Sequence, residues 1–88
     1  MQTRTGSFFR DGDPIVRDIE LQITEDHRRT DGREGWRGEA WIPTDAHVFP
    51  GDRLCLEFQE GATEAVVIDR VTVDPSANRM LVRFTPLD

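Results

Sequence analysis

Hydrophobic and polar residues alternate along much of the chain. The segments RDIELQIT, RLCLEFQ and RMLVRF, at residues 17–24, 53–59 and 79–84, each carry an apolar residue at every second position. No segment keeps the 3.6-residue apolar period of an amphipathic helix. A period of two is typical of strands that bury one face and expose the other, so the pattern predicts a protein built from β-strands.

Three further segments are strand candidates. In EAVVIDRVTV (64–73) the apolar positions change parity at Asp69-Arg70, which predicts a β-bulge or a bend. GWRGEAWIP (35–43) stops at Pro43, and GSFFR (6–10) precedes the turn pair Asp11-Gly12. Together with the regular segments they make five or six short strands, spaced by about ten residues.

Turn-forming residues separate these strands. Pro50-Gly51 suits the central pair of a type II turn, Glu60-Gly61 is placed for a hairpin, and DPSAN (74–78) lies between the last two strands. PTDAHVF (43–49) is the one candidate for a helical turn. The sequence therefore predicts an all-β fold: a single small barrel, or a small sandwich, of five to six mostly antiparallel strands with one short helical turn at most.

A resemblance supports the barrel. From Trp36 onward the order is W-x-G, a proline, P-G-D, the alternating LCLEF, a glycine turn and a closing VRF. Over residues 36–85 this order resembles small six-stranded barrels of the SH3-like and translation-factor-like kind found in short bacterial proteins. The resemblance implies a fold and no particular activity, because such barrels carry many unrelated functions.

The length of 88 residues predicts one domain with one modest core. Within domain 1–88 we expect residues 1–6 to be disordered and residues 25–35 to form a long polar loop. The expected core combines the inward positions of the predicted strands: Ile19, Leu21, Ile23, Ile42, Leu54, Leu56, Phe58, Ile68, Val71, Val82 and Phe84.

The charge and the cysteine content narrow the cellular setting. The net charge is −6, the isoelectric point is about 4.8, and all 11 basic residues are arginine. Phosphate backbones and anionic membranes attract basic surfaces, so the negative charge disfavours nucleic acid as a partner and no membrane is expected. With a single cysteine, no signal-peptide pattern and no long apolar run, the sequence indicates a soluble, cytoplasmic protein.

Catalytic and metal-binding patterns are lacking in the sequence. His27, His47 and Cys55 are scattered, without the spacing of a metal site. No GxSxG elbow or phosphate-binding glycine pattern occurs, and Cys55 falls on the outward parity of its strand beside Glu57. We therefore expect no enzymatic activity, no cofactor and no metal.

The polar stretch EDHRRTDGREGWRG (25–38) is a candidate binding region. Its four arginines are matched by four carboxylates, so it carries no net charge for the counterion release that drives binding to nucleic acid. Arginine and tryptophan are nevertheless frequent at protein interfaces. The candidate binding residues in and after this stretch are Arg28, Arg29, Arg33, Trp36, Arg37 and Trp41.

Trp41 falls on the wrong parity for the core. If its strand is regular, Trp36, Gly38, Ala40 and Ile42 share the inner face, and Trp41 lies outside with Arg37. Burial of a tryptophan side chain hides about 150–250 Å², worth up to about 4–6 kcal/mol. Two outcomes are open: Gly38 forms a bulge that turns Trp41 inward, which we favour, or Trp41 is exposed and marks an interface.

These features together favour a small non-enzymatic protein-interaction module whose partner is another protein. The chain itself is expected to be a monomer, or a weak homodimer through an edge strand. The alternative is a nucleic-acid-binding barrel of the OB or SH3-like kind that uses the Arg/Trp loop. That alternative predicts arginines, including Arg37 and Arg53, clustered on one face free of carboxylates.

Overall fold

The computed structural model describes residues 2–26 and 35–87 of the chain. Six strands in this part form one closed barrel with the strand order β1-β2-β3-β6-β5-β4, and all neighbouring strands are antiparallel. The predicted all-β class and the resemblance to small six-stranded barrels are confirmed. The strands are β1 (Gln2–Arg10), β2 (Asp13–Asp26), β3 (Gly35–Pro43), β4 (Arg53–Phe58), β5 (Thr63–Asp74) and β6 (Arg79–Pro86).

Closure of the barrel determines which strands have free edges. β1 pairs with β2 on one side and with β4 on the other, and each of the other described strands also has two neighbours. The homodimer expected through an edge strand stays a prediction. In the described part of the chain no strand is an edge along its whole length.

No helix in the described part of the chain is long and apolar enough to cross a membrane.

The helical turn lies elsewhere than predicted. Residues 44–49 form turns and irregular backbone, and a 3₁₀ turn lies instead at Pro75–Ala77, between β5 and β6. Asp74 caps this turn by accepting a hydrogen bond from the backbone N–H of Ser76, and Pro75 supplies the φ angle that a first helical residue needs. The prediction of a helical turn within 43–49 was wrong, because residues such as Thr44 and Asp45 are as frequent in turns as at the start of a helix.

Two expected irregular regions also differ from the structure. Residues 2–6, which we expected to be disordered, belong to β1 and pair with Ile19–Ile23 of β2. Of the expected loop 25–35, the described residues 25, 26 and 35 belong to strands, since β2 extends to Asp26 and β3 begins at Gly35. Residues 27–34 lie outside the described part of the chain.

The core fills the barrel with residues from all six strands. Of the predicted core residues, all are buried except Ile19 and Val71, which are half-buried against the same cluster. Both still belong to the inner face: Val71 lies opposite the buried residue Val82, and Ile19 shares the parity of Leu21. The buried residues that the expected core did not include are Phe8, Ala40, Val48, Val66 and Met80.

The bulge predicted at Asp69-Arg70 is confirmed, since the register of β5 with β6 shifts between Ile68 and Arg70. A second irregularity, which the sequence did not reveal, lies between β1 and β2 near Asp18. Asp18 has a positive φ of 54°, and its N–H donates a hydrogen bond to Ser7 Oγ at 3.0 Å. A side-chain acceptor thus pairs with an amide at a point where the ladder is irregular.

The segment between β3 and β4 is held against the barrel. Val48 is buried in the core. Arg10 donates hydrogen bonds to the carbonyl of His47 and to the carboxylate of Asp52, both at 2.7 Å. The N–H of Gly51 donates to the carbonyl of Ile68 at 2.7 Å. These contacts fix the position of the chain immediately after Trp41 and β3.

Candidate functional site

The described candidate residues all lie on β3, but they do not share a face. Trp36 is half-buried and packs edge-on against the core residue Phe84, with ring centroids 6.1 Å apart. Arg37 and Trp41 lie on the outer face and are exposed. Arg28, Arg29 and Arg33 lie outside the described residues. The structure therefore separates Trp36, a core residue, from the two candidates that face the surface.

Trp41 points outward because β3 is regular. The pairing of β3 with β6 runs without a shift from Gly38 to Pro43, and its pairing with β2 is also regular. The prediction of a bulge at Gly38, which we favoured, is therefore wrong. Trp41 is 43% exposed. Gly38 has a different role: a Cβ atom there would lie 2.3 Å from the ring of Phe84. Close approach of a ring, and not a bulge, explains this glycine.

Two residues of β6 surround Trp41. Leu81 lies directly opposite Trp41 in the register. The Cζ atom of Arg79 lies 4.0 Å from the centroid of the Trp41 ring, a cation–π contact. Arg79 Nε is also 3.6 Å from Oδ2 of Asp74. Trp41 is thus an exposed aromatic ring with a guanidinium group stacked on it.

A groove runs beside Trp41, with a volume of about 320 Å³. It lies where β2 and β3 separate: their pairing ends at Gln22 and Glu39, although both strands continue. Its wall on the β2 side is polar, and its other side carries the aromatic and aliphatic side chains. The principal lining residues are Glu20, Gln22, Glu39, Trp41, Arg79 and Leu81.

The polar wall of the groove contains one carboxylate with no cationic partner among the described contacts. Glu20 accepts a hydrogen bond from the amide of Gln22 at 2.7 Å, and Gln22 in turn accepts one from the hydroxyl of Thr3 at 3.2 Å. Glu39, by contrast, lies 3.5 Å from Arg83 Nε. Glu20 is therefore the acidic group of the groove whose charge is least neutralised.

Asp74 contributes a second electrostatic feature at the edge of the site. Its pKa is lowered, chiefly because the hydroxyl of Ser76 donates a hydrogen bond to it at 2.7 Å. The backbone N–H of Ser76 and the charge of Arg79 lower this pKa further. An ionised Asp74 in turn helps to hold the Arg79 guanidinium over Trp41.

The sequence analysis did not identify Glu20, Gln22, Arg79 and Leu81 as site residues. Their outward parity was visible in RDIELQIT and RMLVRF, where each occupies an exposed position of the alternation. What could not be read from local sequence is that β2 and β6 both flank β3. The sequence showed that each of these residues faces outward, but it did not show the strand order that brings them together.

The described arginines do not form the cluster that the nucleic-acid alternative predicts. Arg37 is on β3 and Arg53 is on β4, and three steps around the six-stranded ring separate these strands, so they lie on opposite sides. A depression of about 160 Å³ near Arg37 also holds Arg83, but the carboxylates of Glu39 and Asp69 line it as well. Two cations and two anions leave no basic surface there.

The residues considered for other chemistry are dispersed. Cys55 is exposed on β4, as its parity predicts. His47 is exposed in the segment between β3 and β4, and His27 lies outside the described part of the chain. Among the described residues, no three His, Cys, Asp or Glu side chains are grouped so that they could hold a metal ion.

Comparisons with known proteins add no function to this geometry. No protein-family model matches the chain, and no curated protein or solved structure matches it significantly.

Proposed function

We propose that this protein is a small, non-enzymatic protein-interaction module that binds its partner through the face around Trp41. The observation that supports the proposal is the outward orientation of Trp41 on a regular strand, with 43% of its side chain exposed. An exposed tryptophan forgoes the stabilisation that burial would give. A partner that covers Trp41 would supply that stabilisation on binding.

The surroundings of Trp41 suit a binding hot spot. Such positions combine a central aromatic ring with arginine and with neighbours that exclude water. Here Arg79 stacks on the ring and Leu81 lies beside it. Because these contacts already restrict the ring, little side-chain entropy is lost when a partner covers it.

The nucleic-acid alternative has less support from the described surface. Single-stranded nucleic acid binds where aromatic rings lie in a positively charged groove. The groove beside Trp41 contains Glu20 and Glu39 together with Arg79. A filter-binding assay at low salt tests this alternative directly, and we expect no retention of nucleic acid.

Affinity purification from the cells that produce the protein tests the proposal. Wild-type protein and the Trp41→Ala and Phe49→Ala variants serve as bait. Phe49, which is 61% exposed in the segment between β3 and β4, is a matched control because it is also an exposed aromatic residue. We expect at least one protein to be retained by wild type and Phe49→Ala but lost with Trp41→Ala, and its binding to be reproduced with purified components. Retention that is insensitive to Trp41, or no specific retention, would show the proposal to be wrong.

A further inference from the structure

The groove beside Trp41 is bordered by strand segments that each lack a neighbour on one side. β3 pairs with β6 over Ala40–Pro43, but its pairing with β2 stops at Glu39. β2 pairs with β1 over Ile19–Ile23, but its pairing with β3 stops at Gln22. In the described part of the barrel, the groove is therefore an opening between β2 and β3.

An unpaired strand side is a binding surface for extended chains. Alternate residues of a strand direct their N–H and C=O groups to opposite neighbours. The N–H of Thr44 donates to Asn78 on the β6 side, so Ile42, two positions earlier, also directs its backbone groups to β6. Trp41 therefore directs its N–H and C=O toward the groove. Pro43 adds no free group there, because it has no N–H and its carbonyl accepts from the N–H of Ala46 at 3.1 Å. An extended peptide that lies along such an edge gains backbone hydrogen bonds, and adjoining side-chain pockets select its sequence. The opening at β3 supplies such a backbone edge next to Trp41.

The side chains beside this edge define the chemistry of an occupant. Trp41 and Leu81 are adjacent across β3 and β6 and present apolar surface. Arg79 occupies one face of the Trp41 ring, and the ring remains partly exposed despite this contact. An aliphatic or aromatic side chain of an occupant can pack on that surface.

The charge of the region favours a basic occupant. The charged groups in and beside the groove are three carboxylates and two guanidinium groups: Glu20, Glu39, Asp74, Arg79 and Arg83. Arg79 and Arg83 are near Asp74 and Glu39 respectively, which leaves Glu20 in excess. The net charge of the whole chain, −6, is also negative. A lysine or arginine of the partner can supply the missing cation.

We propose that this groove docks an extended segment of a partner protein that pairs with the backbone of β3 at Trp41. The segment places an apolar side chain against Trp41 and Leu81 and a basic side chain near the carboxylate of Glu20. This inference rests on the proposed function and specifies the chemistry of the partner.

Selection from a display library of random peptides against the wild-type protein is the first test. The selected peptides should carry more basic than acidic residues, with an apolar residue near the basic one. One selected peptide, made synthetically, then serves as the probe for titration by NMR and calorimetry. The amide signals that shift should include those of Ala40–Ile42 and of Glu20.

Three variants and a change of salt concentration test where that peptide binds. Trp41→Ala should weaken it by about tenfold or more. Glu20→Gln keeps the shape and the hydrogen-bonding capacity of the side chain, and it should weaken binding by about three- to tenfold, less at high salt because ions screen the charge. Glu57→Gln removes an exposed carboxylate on β4, away from the groove, and should change the affinity by less than about twofold.

Several results would overturn the inference. Enrichment of acidic peptides, or no enrichment, would show that the groove does not select basic extended segments. A basic peptide that binds Trp41→Ala as tightly as wild type would show that it binds elsewhere. A dimer that depends on Trp41, detected by sedimentation without peptide, would assign the groove to a second copy of the chain. After any of these results the proposed function still holds if a full-length partner protein binds wild type but not Trp41→Ala. The two proposals can therefore be tested separately.

Discussion

Gly38 of β3 and Phe84 of β6 lie opposite each other in the barrel, and the ring of Phe84 covers the glycine. A Cβ atom at Gly38 would lie 2.3 Å from two atoms of that ring. Phe84 is fully buried and packs edge-on against Phe8, with centroids 5.1 Å apart. Because the glycine accommodates a ring, β3 stays regular and Trp41 stays on the outer face.

We expect Gly38→Ala to destabilise the protein by about 1–3 kcal/mol, the usual cost of an overpacked core. The ring of Phe84 cannot move away freely, since core residues surround it. Urea unfolding followed by circular dichroism measures this change.

The same measurement in a Phe84→Leu background identifies the cause. Leucine lacks the two ring atoms that a new Cβ would meet, so Gly38→Ala should cost less there than in wild type. The difference between the two costs is the coupling between the positions. An equal cost in both backgrounds would mean that the ring of Phe84 is not the reason for the glycine.

A second prediction concerns Leu56, which we expected in the core and which the structure buries there. Leu56 is completely buried on β4, and Leu56→Ala should lower the free energy of unfolding by about 2–5 kcal/mol. Val73→Ala is the matched control, because Val73 is 56% exposed and its truncation should cost less than about 0.5 kcal/mol. A loss below about 1 kcal/mol for Leu56→Ala would contradict the position of this residue in the core.

The alternation of apolar residues was enough to predict the strands and most of the core, because the side-chain direction within a regular strand depends only on parity. Leu54, Leu56 and Phe58 illustrate this: they alternate in the sequence and are buried in the structure. Val48 does not follow such a pattern, since it belongs to the segment between β3 and β4. It enters the core because contacts of Arg10 and Asp52 hold that segment on the barrel.

The site was less predictable than the fold. The direction of Trp41 depends on whether Gly38 is a bulge or a place of close approach, and Phe84, distant in sequence, decides between them. Likewise, Glu20 and Arg79 become neighbours of Trp41 only through the order of strands around the barrel. Local sequence carries the residue types of a site, while long-range pairing determines which of them meet.

A third prediction concerns the pKa of Asp74, which is lowered chiefly by the hydroxyl of Ser76. Ser76→Ala should raise this pKa toward its unfolded value, whereas Ser76→Thr, which keeps a hydroxyl, should leave it lowered. The carboxyl carbon signal of Asp74, followed by NMR during an acid titration, reports the change. An unchanged titration in Ser76→Ala would contradict the assignment of the hydroxyl as the main cause.

The sign of the pH dependence follows from the same contact. A carboxylate whose pKa is lower in the folded state stabilises the fold above its unfolded pKa, which is about 3.9 for aspartate. That stabilisation is lost as the pH falls through the lower, folded-state pKa. The difference in stability between wild type and Ser76→Ala should therefore be larger at neutral pH than in strong acid.

The last prediction concerns the segment between β3 and β4, where Asp52 accepts hydrogen bonds from Arg10 at 2.7 Å and from the N–H of Phe49 at 2.9 Å. Asp52→Ala removes both and should lower the free energy of unfolding by about 1–2 kcal/mol. It should also speed hydrogen exchange at the amide of Phe49. Asp45→Ala, an exposed residue of the same segment, should cost less than about 0.5 kcal/mol. Equal losses for both variants would show that the two hydrogen bonds of Asp52 do not hold this segment on the barrel.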